Sequence, residues 1–271
     1  MARRETPRKG SLPRVPAVDP LITLSEEGGV RYLHFGTEWV QGAMRVRRPW
    51  DLELDYSRHM MAWLLFLDPP ARLLQLGLGA GSLTRYVHRH LPETATTVVD
   101  NSAAVLRVAR ANFRLPADDS RLEVIIEDGE AYVSHPGRRR AFQVLQVDVF
   151  DAQARGPALD SAAFYRGCRQ VLDDDGILVV NLFGEVPSYG VNLANIKAAF
   201  DDNVLLLPPI EAGNVIVLAF ADRPSPLVWA DLYARAAELE RRYKLDATGW
   251  VSGLKASWSR GFFRHLVPGG D

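Results

Sequence analysis

The sequence predicts an α/β fold: a doubly wound, mostly parallel sheet of seven strands with helices on both faces. Apolar runs of strand length alternate with segments of helical periodicity, which is the pattern of a buried parallel sheet. Three alternating glycines end the first of these apolar runs, and aspartates follow several of the others. In an open sheet of this kind, the ligand site lies beyond the carboxyl ends of the strands.

A glycine-rich turn follows the first strand candidate, residues 73–76. Glycines alternate at Gly77, Gly79 and Gly81, with Ala80 between the last two, and a segment of helical periodicity comes next. Glycines let the backbone turn sharply and leave room for a ligand at the helix N-terminus, where N–H groups point outward. A Gly-x-Gly-x-Gly run alone also fits an ordinary strand–helix connection. We predict that these four residues contact a bound nucleoside.

Polar residues also follow the next three strand candidates. These residues are Asp100, the pair Asp128 and Gly129, and Asp148. Asp100 lies about twenty residues beyond the glycine turn, where nucleotide-binding folds place the acid that binds a ribose diol. Asp100 is equally suited to capping the helix that begins near Ser102. Because the carboxyl ends of parallel strands meet at one edge, we expect these groups to converge on one crevice.

The chain divides into three parts by composition. Residues 1–18 hold five basic residues, one acid and three prolines, and are expected to form a flexible basic tail. Residues 19–54 show short alternating runs around a Gly-Gly turn, which favours a small β-rich region of hairpins. Residues 55–271 are expected to form the Rossmann-like nucleoside-binding catalytic domain, which opens with a helix over residues 55–67.

Composition argues against several classes of protein. A hydrophobic fraction of 47% and a formal net charge of -1 describe a globular chain and imply no nucleic-acid partner. No run reaches the roughly 18 to 20 apolar residues of a membrane span, and no secretory signal is recognisable. We therefore expect a cytoplasmic protein without a membrane partner. Cys168 is the single cysteine, and the histidines lack metal-ligand spacing, so no metal site is predicted.

The strand-end residues resemble those of the polyamine aminopropyltransferases, the spermidine and spermine synthases, over about residues 55–183. This family has the Rossmann-like fold of the class I S-adenosylmethionine-dependent methyltransferases. The most specific likeness is the segment FQVLQVDVFD at residues 142–151, which looks like the Asp-x-x-Asp signature that follows the fourth strand of the family. Phe164 and Tyr165 match the Phe-Tyr pair of the next helix.

The resemblance assigns the remaining strand-end residues to a nucleoside co-substrate. It places the family's glycine motif on Gly77, Gly79, Ala80 and Gly81, the ribose acid on Asp100, and the adenine-contacting pair on Asp128 and Gly129. The implied co-substrate is decarboxylated S-adenosylmethionine, and no metal is implied. Because enzymes of the family are commonly dimers or tetramers, the resemblance also implies a homodimer.

The implied reaction is aminopropyl transfer to a small-molecule amine. A neutral amine attacks the carbon next to a sulfonium, which requires a base near the amine and carboxylates that attract a cation. The resemblance makes Asp148 the base and gives Asp151 and Tyr56 a part in binding the acceptor. A strand-end acid that only binds a ligand nitrogen is the alternative for Asp148.

Two departures from the family pattern leave the donor and acceptor open. Ala80 stands where the family has an aspartate that binds the donor amine, so intact S-adenosylmethionine remains an alternative donor. Tyr56-Ser57-Arg58 stands in place of Tyr-His-Glu, and the Arg58 guanidinium could bind a carboxylate at the acceptor side. The alternatives are a methyltransferase that acts on a small molecule and a non-catalytic relative.

Overall fold

A computed structural model describes residues 21–150, 161–184, 186–224 and 227–266, which form two β-sheets. Asp151 and the predicted basic tail over residues 1–18 lie outside the described residues. The small N-terminal sheet is antiparallel throughout, with β2 in the middle. Its strands are β1 (Ile22–Glu27), β2 (Val30–Phe35) and β3 (Val40–Arg45). The predicted β-rich region is therefore a three-stranded sheet.

The main sheet confirms the predicted doubly wound, mostly parallel architecture with seven strands. Its strands are β4 (Arg72–Leu76), β5 (Ala95–Asp100), β6 (Leu122–Ile126), β7 (Phe142–Val147), β8 (Leu172–Phe183), β9 (Val204–Leu206) and β10 (Asn214–Phe220). The spatial order is β6-β5-β4-β7-β8-β10-β9, and only β10 runs antiparallel to the other six strands. The chain order reverses between β4 and β7, which opens a crevice at the carboxyl ends of these two strands.

Eight α-helices connect and cover the strands of the described chain. They are α1 (Asp55–His59), α2 (Ser82–His90), α3 (Ala103–Asn112), α4 (Gly129–Ser134), α5 (Ala162–Val171), α6 (Ser188–Ala199), α7 (Trp229–Tyr243) and α8 (Ala247–Ser259). None of the helices in the described ranges has the combined length and hydropathy needed to cross a membrane.

The prediction of a single helix over residues 55–67 is wrong. The segment instead forms α1 and a separate 3₁₀ helix, Ala62–Leu65. Residues 60–65 are all buried, whereas a surface helix buries only one stripe of its side chains. Burial on every side removes the need for a continuous amphipathic helix, and the segment crosses the core between α1 and β4.

The two faces of the main sheet bury separate hydrophobic clusters, because successive side chains of a strand point to opposite faces. On the front face, Val144 and Val179 pack with residues of α2, α7, α8 and the 3₁₀ helix. On the back face, Leu145 and Val180 pack with residues of α4, α5 and α6. Cys168 of α5 is fully buried against the back face.

Candidate functional site

A cavity of about 900 Å³ lies at the carboxyl ends of the parallel strands, where the N-terminal sheet covers the glycine turn. The predicted site residues that line it are Tyr56, Arg58, Gly77, Gly79, Ala80, Asp100 and Asp148. Gly81, Asp128 and Gly129 do not line the cavity, and Asp151 lies outside the described residues. The structure therefore brings together residues that are more than ninety positions apart in the chain.

The glycine turn lies directly against the end of β7. Gly77 has a φ of 90°, and a side chain there would collide with the carbonyl oxygen of Asp148. The backbone N–H of Asp148 donates a hydrogen bond to the carbonyl of Leu76 at 2.9 Å. Only glycine combines this backbone conformation with this close approach. Gly77 thereby places the turn and Asp148 on the same cavity wall.

Asp100 holds the shape of the turn from the neighbouring strand. Its Oδ2 accepts a hydrogen bond from the N–H of Leu78 at 2.8 Å, and its Oδ1 accepts one from the N–H of Ser102 at 2.8 Å. The cap of α3 is Ser102 itself, whose hydroxyl accepts from the N–H of Val105 at 3.2 Å. The alternative that Asp100 is the helix cap is therefore wrong. Because Asp100 also lines the cavity, its predicted ribose contact stays a prediction.

Asp128, Gly129 and Gly81 occupy helix starts and are not part of the cavity lining. The Asp128 carboxylate caps α4 by accepting from the N–H of Ala131 at 2.9 Å, and Gly129 is the first residue of that helix. Gly81 precedes α2 with a φ of 69°. An N-cap carboxylate satisfies helix N–H groups that have no partner in the helix. The adenine contact of Asp128 and Gly129 stays a prediction.

The Asp148 carboxylate receives hydrogen bonds from two other elements. Asn181 of β8 donates its Nδ2 to Oδ1 of Asp148 at 2.9 Å, and the Tyr56 hydroxyl of α1 donates a second bond. Asn214 of β10 in turn donates to Oδ1 of Asn181 at 2.9 Å, which orients the Asn181 amide toward the carboxylate. Neither asparagine was among the site residues predicted from the sequence. A sequence signal existed for Asn181, which is the one polar residue in the apolar run ILVVNLF, residues 177–183.

The surroundings of Asp148 favour a proton acceptor. Burial raises the pKa of its carboxyl group, and the bonds from Asn181 and Tyr56 offset only part of that rise. Burial, together with the adjacent Asp148 carboxylate, raises the pKa of Tyr56 well above its usual value, so Tyr56 remains a neutral donor. A carboxylate with a raised pKa is a stronger base than an exposed one, and its orientation is set by two fixed donors.

Arg58, the cation predicted at the acceptor side, forms its contacts with neighbouring residues of its own segment. The Arg58 guanidinium donates to the carbonyl oxygens of Leu52 at 2.6 Å and Glu53 at 3.1 Å, and it pairs with Asp55. Arg58 is therefore already paired, and acidic residues outnumber basic residues in the cavity lining. The charged residues among the described lining are the acids Glu38, Glu53, Asp55, Asp100 and Asp148 and the base Arg58. Such a cavity concentrates cations.

Ala80 is packed against the N-terminal sheet. Its side chain is 2% exposed, and a Cβ added to Gly42 of β3 would lie 2.6 Å from the Ala80 Cβ. The Ser82 hydroxyl donates to the carbonyl of Ala43 at 2.9 Å, which fixes β3 across the turn. The contact of β3 with this turn was not predicted from the sequence. Among the described residues, no cluster of three or more histidine, cysteine or acidic side chains has the geometry of a metal site.

Comparisons with known proteins identify the family of the chain. A family model described as the spermine/spermidine synthase domain matches residues 53–195, more than half of the chain. A polyamine aminopropyltransferase from Neisseria meningitidis is 38% identical over 256 residues, which cover 94% of each chain. The residues that the family model matches include α1, the glycine turn and the end of β7.

Solved structures show the same fold. A probable spermidine synthase from Corynebacterium glutamicum superposes with a TM-score of 0.68 at 20% identity, covering 86% of this chain and 91% of that chain. Human methyltransferase-like protein 13, solved in complex with SAH, has a TM-score of 0.61 at 27% identity, covering 70% of this chain and 93% of that chain. The family match and the long, 38% identical alignment decide between these two groups. The chain therefore belongs to the spermine/spermidine synthase family.

Proposed function

We propose that this protein transfers an aminopropyl group from decarboxylated S-adenosylmethionine to a small amine, with Asp148 as the base. One observation carries the proposal. The Asp148 carboxylate is oriented by Tyr56 and Asn181, and its backbone packs against Gly77 of the turn that would hold the donor. A base and a nucleoside-binding turn therefore share one cavity wall. The 38% identical aminopropyltransferase relative supports the same reaction.

In the proposed step, the Asp148 carboxylate takes a proton from the ammonium form of the acceptor. The freed nitrogen lone pair attacks the methylene carbon next to the sulfonium. A carbon–nitrogen bond forms, the carbon–sulfur bond breaks, and its electron pair returns to sulfur as neutral methylthioadenosine leaves. Asp148 contributes proton transfer, and the cavity contributes alignment of the two reactants. The proposed place of Asp151, three residues further on, is beside the acceptor.

Charge favours the decarboxylated donor. Decarboxylated S-adenosylmethionine carries a sulfonium and an ammonium group, whereas the intact compound adds a carboxylate. The described lining contains five acids and one base; Asp55 pairs with that base and Glu53 pairs with Arg45, so acids still outnumber bases around the cavity. Because like charges repel and opposite charges attract across a partly enclosed cavity, the added carboxylate reduces affinity.

A small-molecule methyltransferase is the second candidate. The observation in its favour is Ala80, which supplies no acid where the family binds the donor amine. The structural similarity to human methyltransferase-like protein 13, at 27% identity, is consistent with intact S-adenosylmethionine as the donor. Donor affinity distinguishes the two reactions, because each uses a different form of the same nucleoside.

Calorimetry and a product assay test the proposal together. We expect the protein to bind decarboxylated S-adenosylmethionine more tightly than the intact compound, and to release methylthioadenosine when a linear aliphatic diamine is added. Asp148→Asn is expected to lower kcat by roughly 10²- to 10⁴-fold, the usual contribution of general acid–base catalysis. The same variant should bind methylthioadenosine nearly as well as the unsubstituted protein.

Asp222→Asn is the matched control. Asp222 lies beyond the carboxyl end of the antiparallel strand β10, at the opposite edge of the sheet, and pairs with Arg169 on the surface. Its substitution should change neither binding nor turnover. Tighter binding of intact S-adenosylmethionine would favour the methyltransferase, and a parallel loss of turnover and methylthioadenosine binding in Asp148→Asn would make Asp148 a binding residue instead of the base.

A further inference from the structure

A buried chain of side-chain hydrogen bonds crosses the front face of the main sheet beneath the cavity. The Thr84 hydroxyl of α2 donates to Oε1 of Gln75 at 2.7 Å, and Nε2 of Gln75 donates to Oε1 of Gln146 at 2.9 Å. Nε2 of Gln146 then donates to the carbonyl oxygen of Met60 at 2.9 Å. The chain thus links the helix after the glycine turn to the end of α1.

Amide side chains are unusual inside a parallel sheet that is buried on both faces. Gln75 and Gln146 are 2% and 1% exposed and pair with each other in register across β4 and β7. Buried parallel strands are ordinarily apolar, and a buried amide is costly unless its donors and acceptors are paired. Each of the two amides has partners at both its oxygen and its nitrogen.

The far end of the chain is the carbonyl that follows α1. This helix has only five residues and no side-chain cap at its N-terminus. So short a helix has little stability of its own and takes its position from tertiary contacts. Carbonyl groups at a helix end lack partners within the helix, and Gln146 supplies the partner for Met60.

Gln146 also shares a strand face with the proposed base. It lies two residues before Asp148, so both side chains point to the front face. Tyr56 of α1 donates to that same Asp148 carboxylate. Strand β7 therefore holds α1 at two points, through the Met60 carbonyl and through the Tyr56 hydroxyl.

We propose that Gln146 is a positioning residue, which holds α1 against β7 so that the Tyr56 hydroxyl reaches the Asp148 carboxylate. The inference rests on the proposed function, because it assigns the reason for the bond to the base of that reaction. Losing the Gln146–Met60 bond frees the end of α1 and weakens the Tyr56–Asp148 bond. The glycine turn and Asp100 keep their contacts, so donor binding is unaffected.

The test compares Gln146→Met with Tyr56→Phe, and methionine keeps the length of glutamine while removing its hydrogen bonds. Since the bond from Tyr56 lowers the pKa of Asp148, both variants should raise that pKa. The readout is the ¹³C signal of the Asp148 carboxyl group during a pH titration, assigned by its absence in Asp148→Asn. The charged groups that share the cavity are unchanged in both variants; they are Glu38, Glu53, Asp55, Arg58 and Asp100.

Kinetics supply a second readout. We expect kcat/KM for the amine to fall roughly tenfold in each single variant and no further in the double variant, because residues that act through one contact are not additive. The affinity for methylthioadenosine should stay within twofold of the unsubstituted value. Gln143→Met is the matched control. Gln143 lies near the other end of the same strand, β7, and accepts a hydrogen bond from the N–H of Arg72 at 2.9 Å.

Two results would overturn the inference. One is an Asp148 titration in Gln146→Met that matches the unsubstituted protein, even with a lower melting temperature. The other is additive loss in the double variant. If Gln146→Met does not fold, Gln75→Met removes the donor to Gln146 and should shift the Asp148 titration in the same direction by less; no shift there counts against the inference. Absence of aminopropyl transfer by the unsubstituted protein would refute the proposed function, while the titration still tests the position of Tyr56.

Discussion

The two faces of β7 and β8 differ in chemistry although they belong to the same strands. On the back face, Leu145 and Val147 are fully buried among apolar side chains up to the end of β7. On the front face, Val144 is equally buried, but the next positions are Gln146 and then Asp148. The front face thus changes from apolar to amide to acid within five residues, and the back face does not change.

This difference separates stability from chemistry along one strand. A face that stays apolar contributes burial alone, roughly 25 cal/mol for each Å² removed from water. A face that turns polar toward the cavity loses part of that burial and gains fixed donors around one carboxylate. Substitutions on the back face should therefore change the free energy of unfolding, whereas those on the front face near the cavity should change turnover.

The largest effect is expected from Leu145→Ala on the back face. Leu145 is fully buried between β4 and β8, and such truncations cost about 2–5 kcal/mol because they lose burial and leave a cavity. Urea unfolding measures the loss, and kcat/KM per folded molecule should stay within twofold. A selective loss of turnover in a variant that remains folded would break the separation between the two faces.

A smaller effect, on turnover, is expected from Asn181→Leu on the front face of β8. The substitution removes the donor to Asp148 and leaves Nδ2 of Asn214 without its acceptor. We expect kcat to fall roughly 10- to 100-fold, the range for losing one hydrogen bond to a charged group. Steady-state kinetics measure the loss. Leu182→Met, at the next residue on the back face, is the control and should leave kcat unchanged.

The smallest effect concerns the stability cost of the base itself. Burial raises the pKa of Asp148, so its ionised form is held less favourably in the folded protein than in the unfolded chain. This penalty is present above the raised pKa and disappears as the pH falls below it. Asp148→Asn should therefore raise Tm by a few degrees at pH 7, and the gain should shrink on acidification through that pKa. Thermal melts at several pH values measure it, and a lower Tm at pH 7 would contradict the expected sign.

The residues expected to bind the donor were the ones that the sequence predicted best. The glycine turn with Ala80, the acid at the end of β5 and the acid after β7 occur in chain order, each directly after an apolar strand. Local periodicity places a residue at a strand end, and parallel strands then place all such ends at one edge. Five of the predicted residues line the cavity for this reason: Gly77, Gly79, Ala80, Asp100 and Asp148. Asp128 and Gly129 do not, because they form the start of α4 instead.

The sequence by itself determined the order of strands and helices, the glycine turn, the acids at the strand ends and the family, since all of these depend on local pattern. Only the tertiary structure decided that Tyr56 and Asn181 meet at Asp148, that Gly42 packs on Ala80 and that α1 stops after five residues. The physical reason is that periodicity reports which side of an element is buried. It carries no information about which side chain from a distant element will meet it there.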